Sequence, residues 1–183
     1  MTRSSRSLIV AALCATTFVA PQPAAAAVSW IITDTNKADR PTSVDFTGQA
    51  WFLGSVTFFG GAGWFCHPIR PEGFLPTVND SFYIEGGAWI FYYQVQVANH
   101  ADYSYVGIIP AGGVRWDFHL TRDWTVFATA KLGFRVATGA SAPSSRLDGG
   151  GSVGAYWKFS RSIFLRLETG NQGLVQAGVA IVM

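Results

Sequence analysis

The segment 124–138, WTVFATAKLGFRVAT, decides the fold of this chain. Its even positions carry Trp, Val, Ala, Ala, Leu, Phe, Val and Thr, and its odd positions carry Thr, Phe, Thr, Lys, Gly, Arg and Ala. Successive side chains of a β-strand point to opposite faces, so this strand has one apolar face and one polar or small face. Neither face repeats at helical spacing. The segment predicts a β-strand.

The same alternation extends to both sides of this strand. Residues 103–120 alternate before it, and the short segment 121–123, Thr-Arg-Asp, joins the two as a tight hairpin. Together with its neighbours the pattern gives seven clear strands, at about 44–59, 81–97, 103–120, 123–138, 150–159, 162–169 and 173–183.

Seven strands leave one strand to be found, because single-chain bacterial membrane barrels have even strand numbers. The missing strand is either residues 28–33 or the first half of 44–65, divided near Gly54. We therefore expect an all-β protein, an antiparallel up-and-down transmembrane β-barrel of eight strands, over residues 44–183. Residues 28–43 form an N-terminal segment that contains a loop and, in the first alternative, the first strand.

The first 27 residues have the organisation of a secretory signal peptide. Arg3 and Arg6 precede an apolar run from Leu8 to Ala20, and Ala24 to Ala27 offer a cleavage site. The run is shorter than the roughly 20 residues that a spanning helix needs. The segment predicts Sec-type export and cleavage after residue 27.

Composition narrows the function classes. Hydrophobic residues make up 49% of the chain, aromatic residues 15% and charged residues 13%. Without Arg3 and Arg6 the basic side chains equal the 11 acidic ones in number, so no basic excess points to nucleic acid. The hydrophobic content also excludes a disordered chain. After cleavage Cys66 is the one remaining cysteine, so no internal disulfide is expected.

Charged residues lie inside the strands, among glycine and alanine, and not mainly in the turns. That arrangement is typical of a narrow barrel lumen, with paired charges inside and apolar residues facing lipid. We predict a lumen charge network of Asp45, Glu85, Arg115, Asp117, Lys131, Arg135, Lys158, Arg166 and Glu168. Aromatic residues beside the short turns predict an interfacial girdle of Trp116, Phe118, Trp124, Trp157 and Phe159.

No motif predicts catalysis, a cofactor or a metal. The histidines are His67, His100 and His119, and none has a serine or carboxylate at catalytic spacing along its strand. A barrel enzyme that modifies lipids is a minor alternative, since it would present histidine and serine to the outer leaflet. Cys66 and His67 offer two metal ligands, whereas a zinc site needs three or four.

In its alternation, short turns and final strand, the chain resembles the small outer-membrane β-barrels of Gram-negative bacteria, the class of OmpX and the OmpA transmembrane domain. The resemblance covers about residues 44–183. It implies an integral outer-membrane location, contact with outer-membrane lipids and lipopolysaccharide, and insertion by the outer-membrane assembly machinery. Such barrels commonly end on an aromatic residue, whereas this chain ends on Met183.

The function expected from these features is structural or surface-interacting, with a filled, salt-bridged lumen. If the C-terminus is periplasmic, the turns 121–123 and 160–162 are periplasmic, and loops 96–102 and 137–149 face outside and offer a surface for a partner. The alternatives are a narrow channel for ions or small solutes and, second, a secreted soluble β-sandwich that acts as a binding module. The sequence does not identify a ligand.

Overall fold

The chain folds into one closed barrel of eight antiparallel strands, in which each strand pairs with the next and β8 pairs with β1. The computed structural model describes residues 29–34, 39–96, 103–139, 141–170 and 173–183, so the predicted signal peptide lies outside the described residues. The strands are β1 (Ser43–Leu53), β2 (Val56–Arg70), β3 (Asp80–Val95), β4 (Tyr103–His119), β5 (Trp124–Thr138), β6 (Arg146–Lys158), β7 (Ile163–Gly170) and β8 (Gly173–Val182).

The eighth strand comes from the division of the first predicted strand region. Gly54 has φ +58°, a left-handed conformation that glycine adopts at no steric cost, and it forms the turn between β1 and β2 with Ser55. Residues 29–34 contain a turn at 32–33 and no strand. Of the two predicted sources, division near Gly54 is therefore right, and a first strand at 28–33 is wrong.

Pairing is continuous along most of the barrel and shifts at two places. One shift lies between Pro68 and Arg70 near the end of β2. Proline has no N–H to donate to a ladder, so a strand irregularity is expected where it falls. The other shift lies between Glu168 and Gly170, next to the β7–β8 turn.

The connections fall at two ends of the barrel, which we call the terminal end and the loop end. The terminal end holds the start of β1, the end of β8 and connections 71–79, 120–123 and 159–162. The loop end holds connections 54–55, 96–102, 139–145 and 171–172. The predicted loop 137–149 is too long, because 137–138 belong to β5 and 146–149 to β6. Of the predicted loop 96–102, all but Gln96 lies outside the described residues.

The outer wall is apolar and the interior holds both polar and aromatic side chains. Along β5, Val126, Leu132 and Phe134 are exposed, whereas Thr129 and Lys131, at odd positions between them, are buried. The two-sheet sandwich architecture of the second alternative above is wrong, because all eight strands close one barrel. In the part of the chain that the structure describes, no helix is long and apolar enough to cross a membrane.

The N-terminal segment packs across the terminal end. Ile31 is buried, and its N–H donates to the carbonyl of Leu120 over 2.9 Å. Asn79, also buried, donates from its side chain to the carbonyl of Ile31 over 3.1 Å and accepts from Arg40 over 2.7 Å. These bonds fix the segment between the connections 71–79 and 120–123.

Candidate functional site: the barrel interior

The polar centre of the barrel is built around Arg166 of β7. Its Nη1 lies 2.6 Å from Asp45 Oδ2 of β1 and 3.5 Å from Glu85 Oε1 of β3. Its Nη2 lies 2.6 Å from Glu168 Oε2, two residues further along β7 on the same face. One guanidinium thus connects three carboxylates from three strands, and the side chain of Arg166 is fully buried.

Arg115 of β4 contacts two of the same carboxylates, Glu85 and Asp45. Its Nη1 lies 2.9 Å from Glu85 Oε1 and 3.7 Å from Asp45 Oδ2, and its Nε donates to Asp117 Oδ1 over 2.7 Å. Glu85 is therefore shared by two guanidinium groups. Planar guanidinium groups suit such shared contacts, since each presents five donors in a fixed geometry.

Lys131 of β5 completes the set. Its Nζ lies 3.0 Å from Glu85 Oε2, 3.6 Å from Glu168 Oε1 and 4.3 Å from the centroid of the Trp64 ring. Glu168 also accepts from the hydroxyl of Ser152. The charge cluster, by which we mean Asp45, Glu85, Arg115, Asp117, Lys131, Arg166 and Glu168, is one connected group from five strands.

Aromatic rings fill the space around the charge cluster. The hydroxyl of Tyr156 accepts from Arg115 Nη1 over 2.7 Å and from Arg166 Nη1 over 2.9 Å, and it donates to Asp45. The ring of Tyr83 lies 4.2 Å from the Arg115 guanidinium, and the ring of Phe127 lies 4.9 Å from that of Arg166. Both arginines therefore bind rings as well as carboxylates.

Two of the nine predicted network residues lie outside the charge cluster. Arg135 pairs with Asp148 towards the loop end, and both side chains are partly exposed. Lys158 pairs with Asp39 at the terminal end, where Asp39 is largely exposed. Both residues are ion-paired, but each lies near a strand end and binds a local carboxylate, so neither joins the charge cluster.

The five predicted girdle aromatics all lie at the terminal end. Trp124 and Trp157 stack with ring centroids 6.0 Å apart, and Phe159 packs edge-on against Trp157. Trp116 packs against Phe118, and its Nε1 donates to Asp80 Oδ2 over 2.7 Å.

The loop half of the interior is aromatic, which the sequence interpretation missed. Phe58 stacks on Phe91 with centroids 5.6 Å apart and on Trp51 at 5.4 Å, and Trp89 packs against Phe91 at 5.3 Å. The sequence does contain a signal for this core. Tyr83 and Glu85 of β3 point inward, so the aromatic residues at later odd positions of β3 point inward as well. This aromatic core comprises Trp51, Phe58, Trp64, Trp89, Phe91, Tyr93, Tyr105 and Ile109.

The cavities beside the charge cluster in the described part of the barrel are small. A cavity of about 20 Å³ lies on the terminal side of the charge cluster, lined by Tyr83, Arg115, Asp117 and His119 among others. Such a volume holds about one water molecule.

A serine–histidine contact emerges that the spacing along the chain did not reveal. Ser81 Oγ lies 2.8 Å from His119 Nε2, and Thr125 Oγ1 lies 3.0 Å from His119 Nδ1. The third partner is a threonine where a catalytic triad would have a carboxylate. Ser81 is fully buried, and the two contacts join β3, β4 and β5.

Three potential metal ligands also meet in the interior. One ligand atom each of Asp45, Cys66 and Glu85 lie within 4.8 Å of one another, and Cys66 donates to Glu85 over 3.4 Å. Both carboxylates already bind Arg115 and Arg166. Two guanidinium groups beside these oxygens oppose the approach of a cation. His67, next to Cys66 in the chain, has its Nδ1 2.9 Å from Thr42 Oγ1 and is exposed, whereas Cys66 is buried.

Comparison of the chain with protein-family models, with curated proteins and with solved structures finds no match. The class of protein is thus given by its fold alone, a closed eight-stranded antiparallel up-and-down β-barrel.

Proposed function

We propose that the protein is an integral outer-membrane β-barrel with a closed lumen, whose role is structural or surface-interacting. The observation that carries the proposal is the inverted distribution of polarity. Ionic side chains such as Arg166 and Glu85 are 1% exposed, whereas Leu132 and Val153 on the outer wall are 62% and 57% exposed.

An apolar outer wall is unfavourable in water and favourable in lipid. An apolar outer surface over most of a barrel is unfavourable in water, since large exposed apolar patches promote association. In a bilayer the same surface is required, because the wall contacts acyl chains and the closed ladder satisfies the backbone groups. The aromatic side chains at the terminal end are of the kind found at membrane–water interfaces, which supports this placement.

The packing of the interior favours a closed barrel over a channel. The charge cluster fills the terminal half with ion pairs, and the aromatic core fills much of the loop half. An ion pathway needs hydrated space, whereas the cavity beside the cluster has the volume of about one water. The same packing leaves the surface, not the lumen, as the place for an activity.

The orientation and partners follow from the class. The terminal end, with its short connections 120–123 and 159–162, faces the periplasm, and the loop end faces outside. The wall contacts outer-membrane lipids and lipopolysaccharide, and export through Sec followed by the outer-membrane assembly machinery delivers the chain. The connections at the loop end carry the contacts to a surface partner.

One experiment tests both location and closure. We expect the protein in the outer-membrane fraction, with a gel mobility that changes on heating, as compact barrels show before they unfold in detergent. The same purified sample, inserted in planar bilayers, should give no steady conductance. Heat-dependent mobility of protein recovered from the lipid shows that insertion took place. Steady single-channel currents would contradict the closed barrel and favour the channel alternative. Recovery of the protein in the soluble fraction without detergent would contradict the membrane location.

A further inference from the structure

The β2–β3 connection, residues 71–79, folds back onto the outer wall of the barrel. In this part of β3 and β4 the odd-numbered side chains point into the barrel, so the even-numbered Phe82 and Trp116 point outward. The ring of Phe74 packs edge-on against both of these outward rings, with centroids 5.0 and 6.2 Å apart. The part of the connection around Phe74 therefore lies against the outside of the wall at the terminal end.

A fully buried carboxylate holds the connection in this position. Asp80 Oδ2 accepts from the backbone N–H of Phe74 over 2.9 Å and from Trp116 Nε1 over 2.7 Å. Its Oδ1 accepts from the backbone N–H of Leu75 over 3.4 Å. Gly73 has φ +66°, and a Cβ at this position would meet the Asp80 carboxylate. The connection is thus fixed at one place on the wall.

The backbone of the connection is suited to a place with little water. Two of the nine residues 71–79, Pro71 and Pro76, have no N–H, which leaves seven N–H groups. Five of the seven donate to acceptors within the chain, and they belong to Gly73, Phe74, Leu75, Val78 and Asn79. Irregular backbone at the edge of hydrocarbon needs such internal partners, because hydrocarbon offers none. The bonding of the connection therefore permits contact with lipid.

The outer face of this region combines apolar side chains with one guanidinium group. Ile69, Phe74 and Leu75 are 55%, 49% and 38% exposed. Arg70, the last residue of β2, is exposed, and its guanidinium carbon lies 4.6 Å from the centroid of the Phe74 ring. In the part of the chain that the structure describes, Arg70 makes no ion pair, although the exposed Glu72 is two residues away. The guanidinium is therefore available to an external anion beside an apolar surface.

We propose that this surface binds one phospholipid molecule from the membrane leaflet at the terminal end. Arg70 binds the phosphate, and the side chains of Ile69, Phe74 and Leu75 contact the glycerol and the upper part of the acyl chains. A guanidinium group suits a phosphate, since it can donate two parallel hydrogen bonds to the phosphate oxygens. The inference rests on the proposed function for the membrane location, and it adds a specific lipid site to the general contact of the wall with lipid.

The position of this surface favours a lipid over a soluble protein as the occupant. Towards the loop end, the next outward residues after Phe82 and Trp116 are Ile84 and Val114, which lie opposite each other in the β3–β4 ladder. Both are exposed apolar residues of the outer wall. The surface around Phe74 is thus continuous with the wall that we propose to face lipid, and a soluble protein that covered it would have to enter the bilayer.

The first test measures lipid retention by native mass spectrometry of the purified full chain in a non-ionic detergent. The probes, added separately, are phosphatidylethanolamine, a diacylglycerol with the same acyl chains, and inorganic phosphate. We expect one retained phosphatidylethanolamine, and about tenfold weaker retention of the diacylglycerol, because hydrogen bonds to a charged phosphate are lost. Equal retention of the two lipids, or retention of neither, overturns the proposal. Inorganic phosphate that binds as tightly as the phospholipid would identify a free anion as the ligand and also overturn it.

The second test compares two exposed arginines at the terminal end. Arg70→Gln should reduce retention of phosphatidylethanolamine about tenfold and leave retention of the diacylglycerol unchanged, because only the bond to the phosphate is lost. Arg161→Gln, in the 159–162 connection, is the matched control and should retain both lipids as the unmodified chain does. Heat-dependent gel mobility checks that both variants are folded. Equal effects of the two substitutions would indicate attraction to surface charge in general and contradict a site at Arg70.

The third test measures the depth of the connection in lipid vesicles. A spin label on Leu75→Cys should be relaxed more by oxygen, which concentrates in lipid, than by a water-soluble nickel complex. A label on Arg122→Cys, in the 120–123 connection, should show the opposite order. The unmodified chain, treated in the same way, gives the background from its native cysteines. A label at position 75 that is as accessible to nickel as the label at position 122 contradicts the lipid contact.

The outcomes separate this inference from the proposed function. Steady conductance, or recovery in the soluble fraction, contradicts the proposed function whatever the lipid measurements give. A closed, membrane-inserted barrel whose lipid retention does not depend on Arg70 contradicts the phospholipid site alone. Dimers in the mass spectrum that disappear as phosphatidylethanolamine is added would identify a second copy as the occupant in its absence, and dimers that persist and exclude the lipid would overturn the ligand named here.

Discussion

Arg166 Nη1 donates to Asp45 Oδ2 over 2.6 Å, which joins two fully buried side chains that are 121 positions apart in the chain. The pair connects β7 to β1 across the interior, on either side of β8. Because Arg166 also contacts Glu85 and Glu168, its loss would leave several carboxylates with less positive charge beside them. The interior ion pairs therefore make the closed barrel depend on a few side chains.

The first prediction compares two arginines of different burial. Arg166→Met should destabilise the barrel by about 3–5 kcal/mol, since removal of one partner leaves buried carboxylates uncompensated. Arg135→Met is the matched control and should cost about 1 kcal/mol or less, because its pair with Asp148 is partly exposed. Urea unfolding in lipid vesicles, followed by tryptophan fluorescence, measures both. Equal losses would contradict the central role of the charge cluster.

The second prediction concerns the closing ladder between β1 and β8. A Cβ at Gly178 would meet the carbonyl oxygen of Phe46 and lie 2.7 Å from Thr47 Cα, both on β1. Gly178→Ala should therefore cost about 1–3 kcal/mol through overpacking. Gly86→Ala, where nothing lies within 4 Å of the added carbon, should change stability little. The same urea titration measures both variants. An unchanged stability of Gly178→Ala would mean that the β1–β8 ladder can accommodate the added carbon.

The third prediction uses Cys66 as a reporter of closure. Its side chain is fully buried and bonded to Glu85, and buried structural thiols are unreactive. In a Cys14→Ser background, an aqueous disulfide reagent should modify native Cys66 much more slowly than a cysteine at the exposed Ser144. Unfolding should remove the difference. Rapid modification of Cys66 in the native barrel would indicate a hydrated lumen and support the channel alternative.

The fourth prediction concerns orientation in the cell. A membrane-impermeant maleimide should label Ser144→Cys on intact cells, because the β5–β6 connection lies at the loop end. Arg122→Cys, in the β4–β5 turn at the terminal end, should be labelled after the outer membrane is permeabilised and not before. The reverse pattern would invert the orientation.

The fold could be predicted because a period of two is a local property. The alternation in residues 124–138 and in the neighbouring strands identifies elements and faces without any knowledge of partners. Gly54 shows the limit of this local signal. A turn glycine and a glycine inside a strand look alike in sequence, so the sequence leaves the division of β1 from β2 open. The positive φ of Gly54 identifies the turn.

Residue type alone misled the interpretation of the interior. The sequence analysis predicts that apolar residues face lipid, yet Phe58, Trp89 and Phe91 fill the lumen. The inward glycines Gly87 and Gly107 leave room for them, since a Cβ at Gly107 would meet the ring of Phe91 and one at Gly87 would lie 2.8 Å from the Trp64 ring. Pairs such as Ser81 with His119, or Arg166 with Asp45, depend on register and closure, which a period of two does not determine.

The last prediction tests whether the wall faces lipid. Ala130 is exposed on β5 between the ends of the strand, and its neighbour Lys131 points inward. Ala130→Arg should cost about 2–4 kcal/mol in lipid vesicles, the range for arginine near a bilayer midplane. Ala130→Leu is the control and should be neutral or stabilising, since leucine is favourable in hydrocarbon. In water the order would reverse, because arginine is tolerated on an aqueous surface where an added leucine enlarges an apolar patch. Refolding titrations of both variants in vesicles measure the difference, and an arginine variant as stable as the leucine variant would contradict a lipid-facing wall.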